Sequence, residues 1–498
     1  MGRVRNILNA IVGRKQTLSA VEMKRMVNAA FYSATSDSPS MDFSFARDAG
    51  INQALLSDLQ KLRMRCRYEL KQNGIAKGIP RIYANSVVGR GPKLSLEGGA
   101  FPEWNKTAEK KFARWAQSCD MIGGGSLGLQ LHQNCRQLFS AGEYFLAQRN
   151  AAAGDVRLRY LAIRPDRVKT PADALMSLRI DNGVEVDADG VPVAYYVLRE
   201  DPDNTQATLS QSFQDYDRIP VERLIHVFYR EEPVQHRGEP WMATSLPVWH
   251  KMRRYDEATI AAAIVAAKFA AVLVNLNPDA VADAATILPS TVLDIQDGQM
   301  MVPPPGYEPR QIDPKHPANN ASDFRRDQIG AAGAATAMPV NIAGQDSSRS
   351  NFSSARFDGV SFSQEGAVAR EMMECLHLNR LWLAWVKEAM AAGVVQEIDL
   401  NDPETSPAVE WLWLEENRHS DPSKQANAED TRLKSSTATV GQIVMEKGID
   451  RQQHREALLE EVTWYRTHGL THPLDAEKAA SGAPEGEAES DPAAEPEE

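Results

Sequence analysis

Gly124-Gly125-Ser126-Leu127-Gly128 is the one stretch whose residue types and spacing match a catalytic signature, the G-x-S-x-G turn that exposes a nucleophilic serine. Such a serine needs a buried strand before it, and an acid and a histidine after it, to remove its proton and orient the base. The preceding AQSCDMIG reads instead as a helix end and a turn, so Ser126 is expected to cap the following helix. A serine hydrolase built on this turn is the weaker alternative. Cys66, Cys119, Cys135 and Cys375 show no CxxC spacing and lie in or beside helical patterns. They read as reduced, buried structural thiols rather than as a disulfide framework or a zinc site. No G-x-x-x-x-G-K-[ST] loop is present to cradle nucleotide phosphates, which excludes a motor ATPase. The expectation is a protein that is not an enzyme, with no catalytic residue, metal or cofactor.

The chain around that turn is organised by residues 318–393. An Ala-rich helical run over residues 323–337 stops at Pro339, which lacks an amide hydrogen. A polar loop, residues 341–350, follows, and then a long helical pattern over residues 351–390. Phe357, Val360, Val368, Met372, Leu376, Trp382, Val386 and Met390 recur near the helical period, with Arg356, Arg370, Arg380 and Lys387 between them. Gly393 is placed to close this helix in a left-handed cap. At ~1.5 Å per residue such a helix is about 60 Å long, which suits a large assembly better than a compact enzyme.

With 498 residues, 43% of them apolar and 24% charged, disorder throughout is excluded and roughly two to four cores can form. The net charge of -12 excludes a protein that wraps a phosphate backbone through its overall charge. Residues 258–276 are long enough to span a bilayer, but they are mostly alanine with Lys268 near the middle, so no membrane span is expected. Residues 1–30 begin as a short basic amphipathic segment without the apolar core of a signal peptide.

In chain order, residues 42–54 and 55–72 read as two helices, the second thick with Arg63, Arg65 and Arg67. Asn73-Gly74 is a stop, and another helix then leads to Val87-Val88-Gly89-Arg90-Gly91 and a strand. Helices follow at residues 104–116 and 127–146, the latter leading into a strand. VRLRYLAI, PVAYYVLR and LIHVFYR are strands, with Asn182-Gly183 and Asp189-Gly190 as turns. Residues 246–275 form an Ala-rich helix suited to close packing. Residues 278–317 are rich in proline and short strands, including one at 291–295.

These features resemble the lambda-type phage portal family in several places. Arg63, Arg65, Arg67, Asn73, Val87, Val88, Gly89 and Gly91 match its N-terminal signature. AIRPDRVKTP resembles a second, and Arg237, Gly238 and Pro240 match its R-G-x-P turn. Ser350, Asn351, Phe352, Ser353, Ser354, Ala355 and Arg356 match S-N-Y-S-S-A-R with Phe for Tyr. Trp411-Leu412-Trp413 resembles the C-terminal order, but Leu414-Glu415-Glu416 stands where the family carries a proline.

The resemblance implies an α+β, mainly helical portal fold of wing, stem, clip and crown, assembled in a cyclic ring of twelve around a channel. The implied segments are a basic extension (1–30), wing (31–245), first stem helix (246–276), clip (277–317), second stem helix (318–337), tunnel loop (338–350), long spanning helix with wing closure (351–417), helical crown (418–475) and acidic tail (476–498). Double-stranded DNA would pass without sequence-specific binding, touching Gln345, Asp346, Ser347, Ser348, Arg349, Ser350 and Asn351. The clip residues Asp297, Met301, Pro303, Pro304, Pro305 and Tyr307 would dock the terminase large subunit and the head-tail connector proteins. Major capsid and scaffold proteins are further implied partners, in the virion at the capsid vertex and in the host cytoplasm during assembly.

Residues 476–498 are mostly Ala, Gly, Pro, Ser and acids with one lysine, too few apolar groups to fold. Removing them is expected to leave ring formation intact, checked by electron micrographs of the truncated chain. Failure to assemble would make the tail an interface.

Overall fold

The computed structural model describes residues 50–123, 125–171, 179–201, 215–268, 272–275, 307–310, 321–413 and 422–473. Two units divide at Ala54 and Leu55; of the first, only residues 50–54 are among those described. The expectations for residues 1–30, the strand at 291–295, Asp297, Met301, Pro303, Pro304, Pro305 and the tail 476–498 lie outside the described residues.

Helix α1 runs Ile51–Gln72 without a break, so the division between helices 42–54 and 55–72 does not fall after Ala54. Asn73 then caps α2 (Gly74–Val87), its side chain accepting from the amides of Ile75 and Ala76. After β1 (Lys93–Glu97) and α3 (Pro102–Ala116) comes α4 (Leu127–Ala141), followed by β2 (Glu143–Asn150) and β3 (Leu158–Ile163). Helix α4 is shorter than the expected 127–146 because Gly142 adopts φ 79 and turns the chain into β2. A Cβ at Gly142 would lie 2.2 Å from the Glu239 carbonyl carbon, so only glycine allows this crossing.

Strands β4 (Ile180–Asp181), β5 (Val184–Val186), β6 (Pro192–Leu198) and β7 (Tyr216–Pro220) form an antiparallel sheet in that order. Strand β8 (Leu224–Phe228) joins a second antiparallel sheet in the order β3, β2, β8. Strand β2 is buried on both faces because two cores meet there. Tyr144 and Leu146 face the large helical core, while Phe145 and Ala147 face a small one with Val184, Tyr195 and Leu224.

Helix α5 is Leu246–Lys268, shorter than the expected 246–275, since Val272–Asn275 forms strand β9 paired antiparallel with β10 (Tyr307–Arg310). The β-branched Val272 and Val274 suit an extended backbone better than the alanines before them do. No described helix is long and apolar enough to cross a membrane. Helix α6 (Ala321–Ala334) and the short α7 (Val340–Gly344) follow, so the first part of the expected loop 341–350 is helical. Gly330 lies opposite Val340, and Gly344 opposite Ile329, a close packing that the small residues permit.

The long helical run is present as α8 (Phe352–Met373), a π turn (Glu374–Leu378) and α9 (Asn379–Ala391). Gly393 closes it at φ 67, with Val394 N donating to Ala389 O, the left-handed cap that a glycine supplies. Arg370 donates to the carbonyls of Ser86 and Val87 at the end of α2, and Arg380 to those of Val221 and Leu224. The apolar repeat divides along this run. Trp382 and Val386 are core residues, whereas Phe357, at 74% exposed, Val360, Val368 and Leu376 face outward in the single chain.

After β11 (Ala408–Leu412), which pairs with β1, come α10 (Pro422–Lys434), α11 (Val440–Glu446) and α12 (Arg451–Thr467). Cys66, Cys119 and Cys135 are buried, but Cys375 is exposed on the π turn, against the expectation of four buried thiols. Burial pushes Cys66, Cys119 and Cys135 up to about 12, which keeps them as protonated thiols.

Of the three arginines of α1 that match the signature, Arg63 is buried. Arg63 lies 2.6 Å from Glu143, the first residue of β2 and fully buried. Arg237 closes on the same carboxylate with Nη2 at 2.6 Å and Nε at 2.9 Å, and donates to the carbonyls of Pro165, Val168 and Asn182. Gly238 N donates to Glu143 at 2.8 Å, and His226 Nε2 is 3.1 Å from it. Burial by itself would push Glu143 up, but Arg237, Arg63 and His226 hold its carboxyl well below the usual carboxylate range. Burial keeps His226 below its ordinary value, so it donates as a neutral ring and accepts from Tyr195 on its other nitrogen.

Glu143→Gln removes the carboxylate that two buried guanidiniums share, leaving Arg63 with Asp166 at 3.7 Å, an expected loss of about 3 to 5 kcal/mol. Because the folded carboxyl is depressed, its contribution is present above the unfolded value near about 4.3 and lost as pH falls below it. Thermal unfolding of both proteins across that range checks this: the wild type is expected to lose its advantage in acid, and equal midpoints at neutral pH would remove Glu143 from the stability argument.

Candidate functional site

The segment Gln345, Asp346, Ser347, Ser348, Arg349, Ser350 and Asn351 is exposed except for half-buried Ser350, and is bounded by rigid helices on both sides. Its entry is fixed by backbone geometry. Gln345 takes φ 52, ending α7, and Asp346 N donates back to Asn341 O at 3.1 Å. Its exit is a reciprocal cap: Asn351 Oδ1 accepts from Ser354 N at 2.8 Å, and Ser354 Oγ accepts from Asn351 N at 3.1 Å. That capping box explains two residues of the SNFSSAR signature without any ligand.

Between these ends the segment lies along α6. Asp-x-x-Arg occurs at 323–326 and again at 346–349, and the two copies pair head to tail. Arg349 binds Asp323, and Arg326 lies 3.7 Å from Asp346. The hydroxyl and amide of Ser348 hold the Asp346 carboxyl below its ordinary value, and the Asp323 hydrogen bond holds Arg349 above its own. Exposed pairs of this kind are weak tethers in water. The two loop charges are therefore answered by two helix charges, and hydroxyls and amides dominate the outward face. Asp323 and Arg326 escaped the sequence reading, although the repeated Asp-x-x-Arg spacing was a visible signal; Glu143 had none.

Of the expected docking residues, Tyr307 is described, and its backbone pairs with Asn275. Ser126 is the N-cap of α4, its Oγ accepting from Leu129 N at 3.4 Å. A Cβ on Gly128 would lie 2.3 Å from Arg90 O, and one on Gly91 would lie 2.6 Å from the Gly128 Cα. The last glycine of the G-x-S-x-G match is thus required by close backbone packing against Val-Val-Gly-x-Gly, not by a nucleophile elbow. Among the described residues no group of three or more His, Cys, Asp or Glu side chains could hold a metal ion.

Comparison with known proteins bears on the same segments. A "probable portal protein" of Halomonas phage phiHAP-1 is 24% identical over 474 residues, 86% of this chain and 85% of that protein. A neck structure of a native gene transfer agent particle, computed with C12 symmetry, covers 79% of this chain and 94% of that chain, with TM-score 0.46 and 12% identity. An HK97 family phage portal protein from Corynebacterium diphtheriae covers 73% and 98%, with TM-score 0.32 and 12% identity. The family described as "Phage portal protein, lambda family" matches residues 38–369, a span that holds the buried arginines around Glu143, the R-G-x-P turn and the capped exposed loop. The chain belongs to the lambda family of phage portal proteins.

Proposed function

We propose that twelve copies of this chain, the portal subunit at the capsid vertex, close into a ring whose channel carries double-stranded DNA during packaging and ejection, and whose narrowest wall is the loop from Gln345 to Asn351. The observation that carries this reading is the loop itself, held by caps at its two ends, tied to α6 by exposed charge pairs and presenting hydroxyls outward. A duplex must slide past such a wall, so contacts should be brief and phosphate-directed without reading bases. Net neutralisation by strong basic contacts would release counterions and make each step costly. The -12 charge of each chain favours a repelled, water-lubricated duplex instead.

Ring closure is supported by apolar groups that the single chain leaves open. Ile260, 60% exposed, and Ile264 on α5, Phe324 on α6, and Phe352, Phe357 and Val360 on α8 form an unusual outlay of apolar side chains in water. A head-to-tail contact with the next copy would cover them, and a rotation that fits closes the ring. The terminase large subunit and head-tail connector proteins would dock at the clip, through Asp297, Met301, Pro303, Pro304, Pro305 and Tyr307. Major capsid and scaffold proteins would surround the wing. The role is structural rather than enzymatic.

Deleting residues 345–348 is expected to spare folding and ring assembly while lowering DNA content per particle. Measuring DNA per particle beside ring yield decides this: equal DNA content removes the loop from the mechanism, and lost rings make it structural. Phe357→Asp combined with Val360→Asp is expected to leave a folded chain that elutes as a monomer, while persistence of full rings by electron microscopy would refute the α8 face as an interface.

A further inference from the structure

We propose that His236 is a proton-operated clasp in the wing, holding the β4–β5 hairpin and the Asp187–Gly190 turn against the loop that leads into α5, and that its deprotonation loosens this corner of the fold. His236 lies beside Arg237 and is 8% exposed. Its Nδ1 is 2.7 Å from Asp181 Oδ2 on β4, and its Nε2 is 3.0 Å from the Gly190 carbonyl oxygen. Both contacts are to acceptor oxygens, one of a carboxylate and one of a backbone carbonyl. A neutral imidazole carries one N–H and satisfies one of them, whereas the imidazolium satisfies both.

The surrounding groups leave the clasp few substitutes. The Asp187 carboxylate is occupied within its own turn by the amides of Asp189 and Val191. The Arg237 guanidinium is committed to Glu143 and to three carbonyls, including that of Asn182 next to Asp181. Asp181 favours the charge on His236, and Arg230, two residues after β8, opposes it. The balance lies with the Asp181 hydrogen bond, which together with the Gly190 carbonyl holds His236 above its ordinary value against the cost of burial. A raised folded value means that the clasp is fully set below the unfolded value of about 6.5 and is lost as pH rises through the folded one. The corner is thus held twice, by Arg237 at every pH and by His236 when protonated.

Hydrogen exchange of the full chain, read by mass spectrometry at steps from about pH 5.5 to about pH 8.5 and corrected for intrinsic rates, tests this. Peptides spanning residues 180–191 are expected to lose protection by roughly ten-fold at the higher pH, the scale of one lost hydrogen bond to a charged group, while those of β2 and β8 stay constant. His236→Gln is expected to abolish the pH difference. Asp181→Asn provides an independent reading, since it keeps the histidine but should move the loss of protection to lower pH. Unchanged protection in the wild type, the same pH response in His236→Gln, or an unmoved transition in Asp181→Asn would each overturn the clasp.

Discussion

A single carboxylate, Glu143, sets the terms for the fold around β2. Ionised and fully buried at the first position of β2, it is costly unless surrounded, and the chain surrounds it with Arg63 from α1, Arg237 and the Gly238 amide from the loop before α5, and His226 from β8. These donors come from three different elements, so the carboxylate can be satisfied only when helix, strands and loop are docked together. Gly142 and Gly238 allow the necessary close crossing, since a Cβ on Gly238 would lie 2.1 Å from Gly142 O. The three arginine-bearing signatures that looked separate in the sequence are one construction: Asp166 of the Pro-Asp-Arg turn lies 2.5 Å from Arg67, and Pro165 accepts from Arg237.

Rigidity and compliance are placed by the same logic. Around Glu143 and along α9 the contacts are buried, with Trp385, Val386 and Ala389 wholly enclosed. In the loop after α7 they are exposed charge pairs and backbone turns, which water can replace at little cost. The ends of this segment are fixed by caps while its middle is held weakly. The π turn in the long helix is a local irregularity in an otherwise regular rod. It brings the buried His377 within 3.2 Å of the Tyr144 hydroxyl, and burial holds that imidazole down to about 3, so it stays neutral.

Much was legible in the sequence because it is local. The Asn73 cap, the Asn351 and Ser354 cap and the Gly393 closure each follow from a residue type acting on backbone groups within a few positions. The continuous helical run over residues 352–391 follows from period and from the lack of an internal proline. The helix ends that were misjudged, at Ala141 and at Lys268, lie a few residues before a paired strand, and pairing partners are not local.

By itself, then, the sequence determined several helix caps, the turn glycines Gly183, Gly190 and Gly393, and the order of signatures that mark the family. Only the tertiary structure decided which charges are buried together. Arg63 and Arg237 stand 80 and 94 positions from Glu143, and no periodicity records a contact at such separation. It also decided which apolar residues form a core. An apolar stripe on α8 says that a face wants cover, but whether Phe357 or Trp382 receives it depends on what other elements bring to that face.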